Sequence, residues 1–227
     1  MYEYVDKVKG KKITTGSNSV STKKKYGNRH RQRREVDISQ LYPYRLGGVK
    51  NDSGTEVKTG LIVVGDTNGG SPVSVLPNWW PQGPARTAED FVRENFVQGH
   101  LLNEKLGGPG NTRQNLTPLT RSTNSQMSAS LESLAKKYLQ QGYGIKYWVQ
   151  ADYSSTPTVA DVGAAHLDYS EKIKLQQYLN KMPGKIWGQI TLYAKNLQGN
   201  WQEISQHLQP KGIEVKNEGA HLKGTYI

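Results

Sequence analysis

Apolar residues recur at helical spacing most clearly in the stretch NSQMSASLESLAKKYLQQ, where Met127, Leu131, Leu134 and Tyr138 define one stripe. Thr123 serves as an N-cap with Gln126 three residues later, and Gly142 supplies a stop, so the pattern predicts a helix from about Asn124 to Gln141. Elsewhere the period shortens. A β-branched run over residues 61–64, an Asn-Gly-Gly turn and the alternating SPVSVLP predict a hairpin. EDFVRENFVQGHLL reads as a strand ending near His100, and NLTPLT as a short second strand closed by Pro118. Residues 103–114, rich in Gly and Asn, connect them, which makes a second hairpin with a long polar loop. GIKYWVQADYS and GKIWGQITLYAKN read as strands around a helix in DYSEKIKLQQYLNKM, and NWQEISQHLQ as a last helical piece. Trp79 and Trp80 read as core or loop anchors. The mixed order gives an α+β fold.

Residues 1–35 depart from this patterning. Lys23, Lys24, Lys25, Arg29, Arg31, Arg33 and Arg34 crowd a stretch with few apolar residues, so it reads as a basic, flexible N-terminal tail, and residues 36–227 as a single domain. The charge extends beyond the tail, with a formal net value of +11 over 227 residues. Such a field attracts polyanions, DNA or RNA first and an anionic membrane surface second. No run approaches the roughly 18 apolar residues of a membrane span, and MYEYVDKVKGKK lacks the apolar core of a secretory signal. Any export is therefore expected to be independent of a signal peptide. The chain has no cysteine, which excludes disulfides and thiolate metal sites and leaves oxygen or imidazole ligands, a set that suits a hard cation such as Mg²⁺.

The expected hairpin and helix bring chemistry together in FVQGHLLNEKLGGPGNTRQNLTPLTRSTNSQM. His100 falls where the first strand meets the loop, Asn115 opens the second strand, and Asn124 lies in the first turn of the helix. Asn124, Ser128 and Glu132 are four apart and share a ridge beside the apolar stripe. The set suits an imidazole that deprotonates a water, an amide oxygen that holds a hydrated cation, and a carboxylate behind it that orients the cation's waters. Each residue also has an ordinary alternative: a satisfied structural histidine, an asparagine that starts a helix, a solvated glutamate, and glycines of any tight loop.

Gly99-His100, Asn115 to Pro118, Asn124 nine residues after Asn115, and Glu132 eight after Asn124 resemble the core of the DNA/RNA non-specific endonucleases of the ββα-metal (His-Me finger) superfamily. The form GHLLNEKLGGPG…NLTPLT…N is more similar still to nuclease domains at the C-termini of bacterial polymorphic toxins. The resemblance covers residues 91–132. It implies a ββα-metal core at about 91–141 with additional strands and helices around it. It also implies His100 as general base, Asn124 as the direct ligand of a hydrated Mg²⁺ (or Mn²⁺ or another divalent cation), Glu132 on one of its waters, and Asn115 as a supporting site residue. Where the family carries Asp-Arg before Gly-His, this chain has Val97-Gln98. Arg93, Arg113 or Arg121 could supply the missing phosphate contact, and Arg113, in the loop between His100 and Asn124, is the one preferred. The resemblance implies metal-assisted hydrolysis of DNA or RNA by an antibacterial toxin effector. Such an effector is delivered to act in a target cytoplasm and is opposed by an acidic immunity protein in the producer. The competing reading is a non-catalytic, basic nucleic-acid-binding module that keeps the hairpin-helix shape.

Overall fold

The computed structural model describes residues 44–66, 69–84, 87–204 and 212–219. The basic tail, His207 and His221 lie outside the described residues. What is described falls within one compact unit, Asp37–Ile227.

The backbone of this unit is an antiparallel sheet. Strands β1 (Tyr44–Leu46), β4 (Glu56–Thr59), β7 (Gly144–Asp152), β8 (Lys185–Lys195) and β10 (Gly212–Lys216) lie in that order, and β9 (Trp201–Glu203) pairs with β8. β2 (Val49–Lys50) and β3 (Ser53–Gly54) make a small ribbon beside it. Along β7 the odd positions Ile145, Tyr147, Val149 and Ala151 are buried and the even ones from Lys146 on are exposed or half-buried, as the strand pattern requires. Both β7 and β8 fall within the stretches that the alternation marks as strands. Helix α4 (Tyr169–Leu179) likewise falls where its helical pattern places it, capped by Asp168, whose carboxylate accepts from the Glu171 N–H.

The inner face of the sheet is covered by one helical rod over residues 121–140. It comprises α2 (Arg121–Met127), a π turn (Ser128–Glu132) and α3 (Ser133–Gln140). Its cap is Thr120, whose hydroxyl accepts from the Thr123 N–H, so the rod starts a turn before the expected Thr123 cap. The sequence offers two threonines three apart, and the hydroxyl that reaches an unpaired N–H at the strand end wins. The buried row is Met127, Leu131, Ala135 and Leu139, with Leu134 and Tyr138 only partly buried. In a regular α-helix steps of four drift by about 40° each. The wider π turn removes part of that drift, so Ala135 and Leu139 reach the sheet in place of the expected Leu134 and Tyr138. Leu131 sits over Gly188 of β8, against which a side chain could not fit. The rod ends at Gln141, and Gly142 takes a φ of +85°, as the glycine stop requires.

The hairpin that carries His100 is β5 (Phe96–His100) and β6 (Leu116–Thr120), antiparallel, with Phe96 opposite Thr120 and His100 opposite Leu116. Residues 89–95 are helix and not strand: α1 spans Thr87–Asn95 and buries Ala88, Phe91 and Val92 at helical spacing against α4 in a second core with Trp80, Leu175, Leu179 and Met182. The apolar run of the strand follows it without a break, and this concealed the change of period. Pro118 lies inside β6 opposite Gln98 instead of closing it, which a two-stranded ribbon tolerates because one side of each strand is unpaired. The hairpin expected over residues 61–76 does not form among the described residues. Ile62 makes a single bridge to Ile145, and Ser71 and Ser74 donate backbone bonds to Gly108 and Gly110 of the β5–β6 loop. The final segment also differs, since residues 201–203 add a strand to β8 where a helical piece is expected.

Candidate active site

The β5–β6 connection is built from polar side chains that replace regular structure. Asn115, fully buried, accepts from the Leu102 N–H through Oδ1 (2.9 Å) and donates through Nδ2 to the carbonyls of Leu102 (2.9 Å) and Pro109 (3.0 Å). Its amide is thereby saturated, and Asn115 holds the loop together. Asn103 caps the short turn Glu104–Leu106 by accepting from the Lys105 N–H, and its Nδ2 donates to Glu132 Oε2 at 2.7 Å. The stretch around Ser71 packs against this loop so closely that side chains at Gly70 or Gly110 would collide with the backbones of Glu104 and Pro72.

His100 emerges from the end of β5 beneath that stretch, half-buried, with Nε2 3.0 Å from the Ser71 carbonyl. A carbonyl only accepts, so Nε2 carries a proton and Nδ1 is left as the basic nitrogen of the neutral ring. Burial pushes the imidazole below the ordinary histidine value, opposed by the Ser71 hydrogen bond and the Glu104 charge. The ring is thus held neutral and oriented, the state a proton acceptor needs at pH 7.

Asn124 lies half-buried in the middle of α2, and its Oδ1 comes within 2.8 Å of where a side-chain carbon on Gly99 would stand. The strand residue next to His100 and the helix residue are therefore in contact because position 99 has no side chain. Among the described residues the Asn124 carboxamide makes no hydrogen bond, unlike Asn95, Asn103, Asn115 and Asn217, whose amides are all engaged. About two turns on, at the end of the π turn, Glu132 is 6% exposed. Burial holds its carboxyl above the ordinary glutamate value, against hydrogen bonds from Ser128 and Asn103 and the charge of Lys136. The Tyr147 hydroxyl, buried nearby on β7 without a hydrogen-bond partner, is pushed well above the ordinary tyrosine value by burial and by the Glu132 charge. Asn217, almost fully buried, ties β10 to the start of the rod, accepting from the Thr120 N–H and donating to the carbonyls of Pro118 and Pro183.

Arg113 does not join this group. Its Nη2 donates to Asn78 Oδ1 at 2.7 Å and its Nη1 lies 3.5 Å from Asp52 Oδ2, so its fork is committed to the β2–β3 turn and the Asn78 loop. Arg93 is engaged by Asp90 and the Gly83 carbonyl. Arg121 differs: Nε donates to the Glu94 carbonyl, the side chain is exposed, and it lies three residues before Asn124 on the same rod. Among the described residues no three His, Asp or Glu side chains converge as a metal cluster. No described helix is long and apolar enough to cross a membrane.

The site thus combines a strand-loop-strand ribbon packed on a helix, an oriented histidine at the end of β5, and an asparagine whose amide makes no hydrogen bond among the described residues. Residues 81–164 match the model of the DNA/RNA non-specific endonuclease family. No curated protein matches the chain. Among solved structures it is similar to an extracellular endonuclease at 12% identity, over 78% of this chain and 79% of that one, with a TM-score of 0.45. It is also similar to NucA from Streptococcus agalactiae, with no metal bound (14% identity, 78% and 71% covered, TM-score 0.42) and with magnesium bound (13%, 78% and 73%, TM-score 0.43).

Proposed function

We propose that the chain is a Mg²⁺-dependent, largely sequence-independent nuclease of DNA, RNA or both. The observation that carries this reading is the pairing of His100, neutral and held by the Ser71 carbonyl, with an Asn124 amide that has no partner among the described residues and lies against Gly99. Asn124 Oδ1 would hold the cation directly and Glu132 one of its waters. A magnesium ion that keeps most of its hydration shell suits a site with one amide ligand. The bound cation would supply charge stabilisation for the phosphorane-like transition state and the leaving oxygen. Nδ1 of His100 takes the proton from the attacking water as Nε2 stays bonded to Ser71, so the ring keeps its orientation through the transfer. Asn115 holds the loop that carries this geometry. Arg121, exposed beside Asn124, offers the phosphate contact more directly than Arg113, whose nitrogens are already bonded. The basic tail, residues 1–35, would add sequence-independent phosphate contacts.

The net charge of +11 fits an antibacterial effector that is delivered without a signal peptide, acts on nucleic acid in a target cytoplasm, and is neutralised in the producer by an acidic immunity protein. Purified chain is incubated with plasmid DNA and with RNA, in Mg²⁺ and in EDTA. Cleavage that needs Mg²⁺ supports the nuclease. A folded chain that leaves both polymers intact with Mg²⁺ or Mn²⁺, yet shifts them on a gel, supports the binding module.

A further inference from the structure

The Glu132 carboxylate has a partner that the sequence pattern does not mark. Asn103 spends its two amide atoms on different elements: Oδ1 accepts from the Lys105 N–H at 2.9 Å within the loop, and Nδ2 donates to Glu132 Oε2 at 2.7 Å on the rod, 29 residues away. Its carbonyl accepts from the Leu106 and Gly108 N–H groups, so the residue is fixed at both ends of the turn. Glu132 needs such a clamp. It closes the π turn, where the helical ladder is irregular, and its side chain is almost wholly out of solvent, where a carboxylate without donors is costly.

We propose that Asn103 is a positioning residue for the metal site, orienting the Glu132 carboxylate so that Oε1 is presented to a water of the cation while Oε2 is held by the Asn103 amide. This rests on the reading of Asn124 and Glu132 as the cation-holding pair. The same contact links the His100 loop to the rod, so histidine and cation are set relative to each other through Asn103 as well as through the β5–Asn124 contact. Loss of a group that orients a metal-binding residue typically weakens metal affinity by about 10- to 100-fold.

The test separates the two bonds. Serine is a good cap and can retain the Lys105 N–H, but it is too short to reach Glu132. Mn²⁺ affinity is measured by electron paramagnetic resonance, without substrate, for wild type, Asn103→Ser, Glu132→Ala and the double variant, each checked for an unchanged circular dichroism spectrum. The expected result is about tenfold or greater weakening in Asn103→Ser, and a double variant that binds no more weakly than Glu132→Ala alone, because the amide has nothing left to orient. Wild-type affinity in Asn103→Ser alongside weakened Glu132→Ala overturns the inference and leaves the metal site standing. So does a double variant in which the two effects multiply. Wild-type affinity in Glu132→Ala overturns the reading of Glu132 itself, and the role of Asn103 with it.

Discussion

Gly99→Ala is the sharpest perturbation of the site that does not touch a reacting group. The backbone at Gly99 is ordinary strand, paired to Thr117, so alanine meets no conformational penalty there. The cost is steric. The new methyl would stand 2.7 Å from Leu119 Cδ1 and 2.8 Å from Asn124 Oδ1, whereas carbon atoms settle at about 3.5 to 4.0 Å. Leu119 is fully buried and must retreat by about 1 Å, an overpacking that costs about 1 to 3 kcal/mol of stability. The Asn124 oxygen has to give by about half an ångström or more and carry any bound cation with it. A misplacement on the order of 1 Å costs about 10²-fold in rate, or about 2.7 kcal/mol of activation free energy. The assay is kcat/KM on plasmid DNA in saturating Mg²⁺, with thermal unfolding alongside. Ile190→Val, in the same core on β8, serves as a control that loses some stability without moving Asn124. Folded Gly99→Ala with the activity of that control would refute the argument that position 99 is bare to seat the Asn124 amide.

Asn115→Ala is expected to lower stability by about 3 kcal/mol, because the buried Leu102 N–H and the Pro109 carbonyl lose their partner, and differential scanning calorimetry checks the fall in Tm. Asn115→Asp should be no better, since a carboxylate would face two carbonyls. Arg121→Gln should weaken DNA binding by a cleavage-inactive variant at every sequence and flatten its log-log salt dependence by about one contact, whereas Arg113→Gln should chiefly lower Tm by releasing Asp52 and Asn78. The acid limb of kcat/KM should fall below the ordinary histidine value of 6.5, because activity needs neutral His100 and burial lowers its pKa. By linkage, a histidine depressed in the fold costs no stability above about 6.5, costs stability as pH falls from 6.5 toward the folded value, and adds no further cost below it. His100→Gln should therefore lose less stability than wild type between about pH 7 and 5, measured by urea unfolding in EDTA.

The sequence and the structure part company for local reasons. That His100 ends a strand and that Asn124 and Glu132 lie on one helical rod is legible because spacing along each element places them. The helix α1 was hidden because β5 begins at the residue after it, with no turn residue between Asn95 and Phe96 to mark the change of period. The π turn leaves no mark in composition, yet it turns Glu132 inward and brings Ala135 and Leu139 to the core. Ser71 acts through its carbonyl, which every residue owns, and no side-chain motif could have revealed it. Arg113 fell in the right loop but found an acid, Asp52, on a strand pair that the sequence pattern did not predict. Nothing in the spacing marks Asn103 or Asn217, whose long-range partners lie 29 positions away for the first and 34 to 99 for the second.

The claim on which the rest depends is that His100 Nδ1 accepts the proton from the attacking water beside a cation held by Asn124. Single-turnover cleavage of plasmid DNA by His100→Ala in saturating Mg²⁺, with and without added imidazole, tests it most directly. The account predicts a folded variant slowed by about 10² to 10⁴, partly restored by imidazole, and silent in EDTA. Cleavage by His100→Ala at the wild-type rate would contradict it.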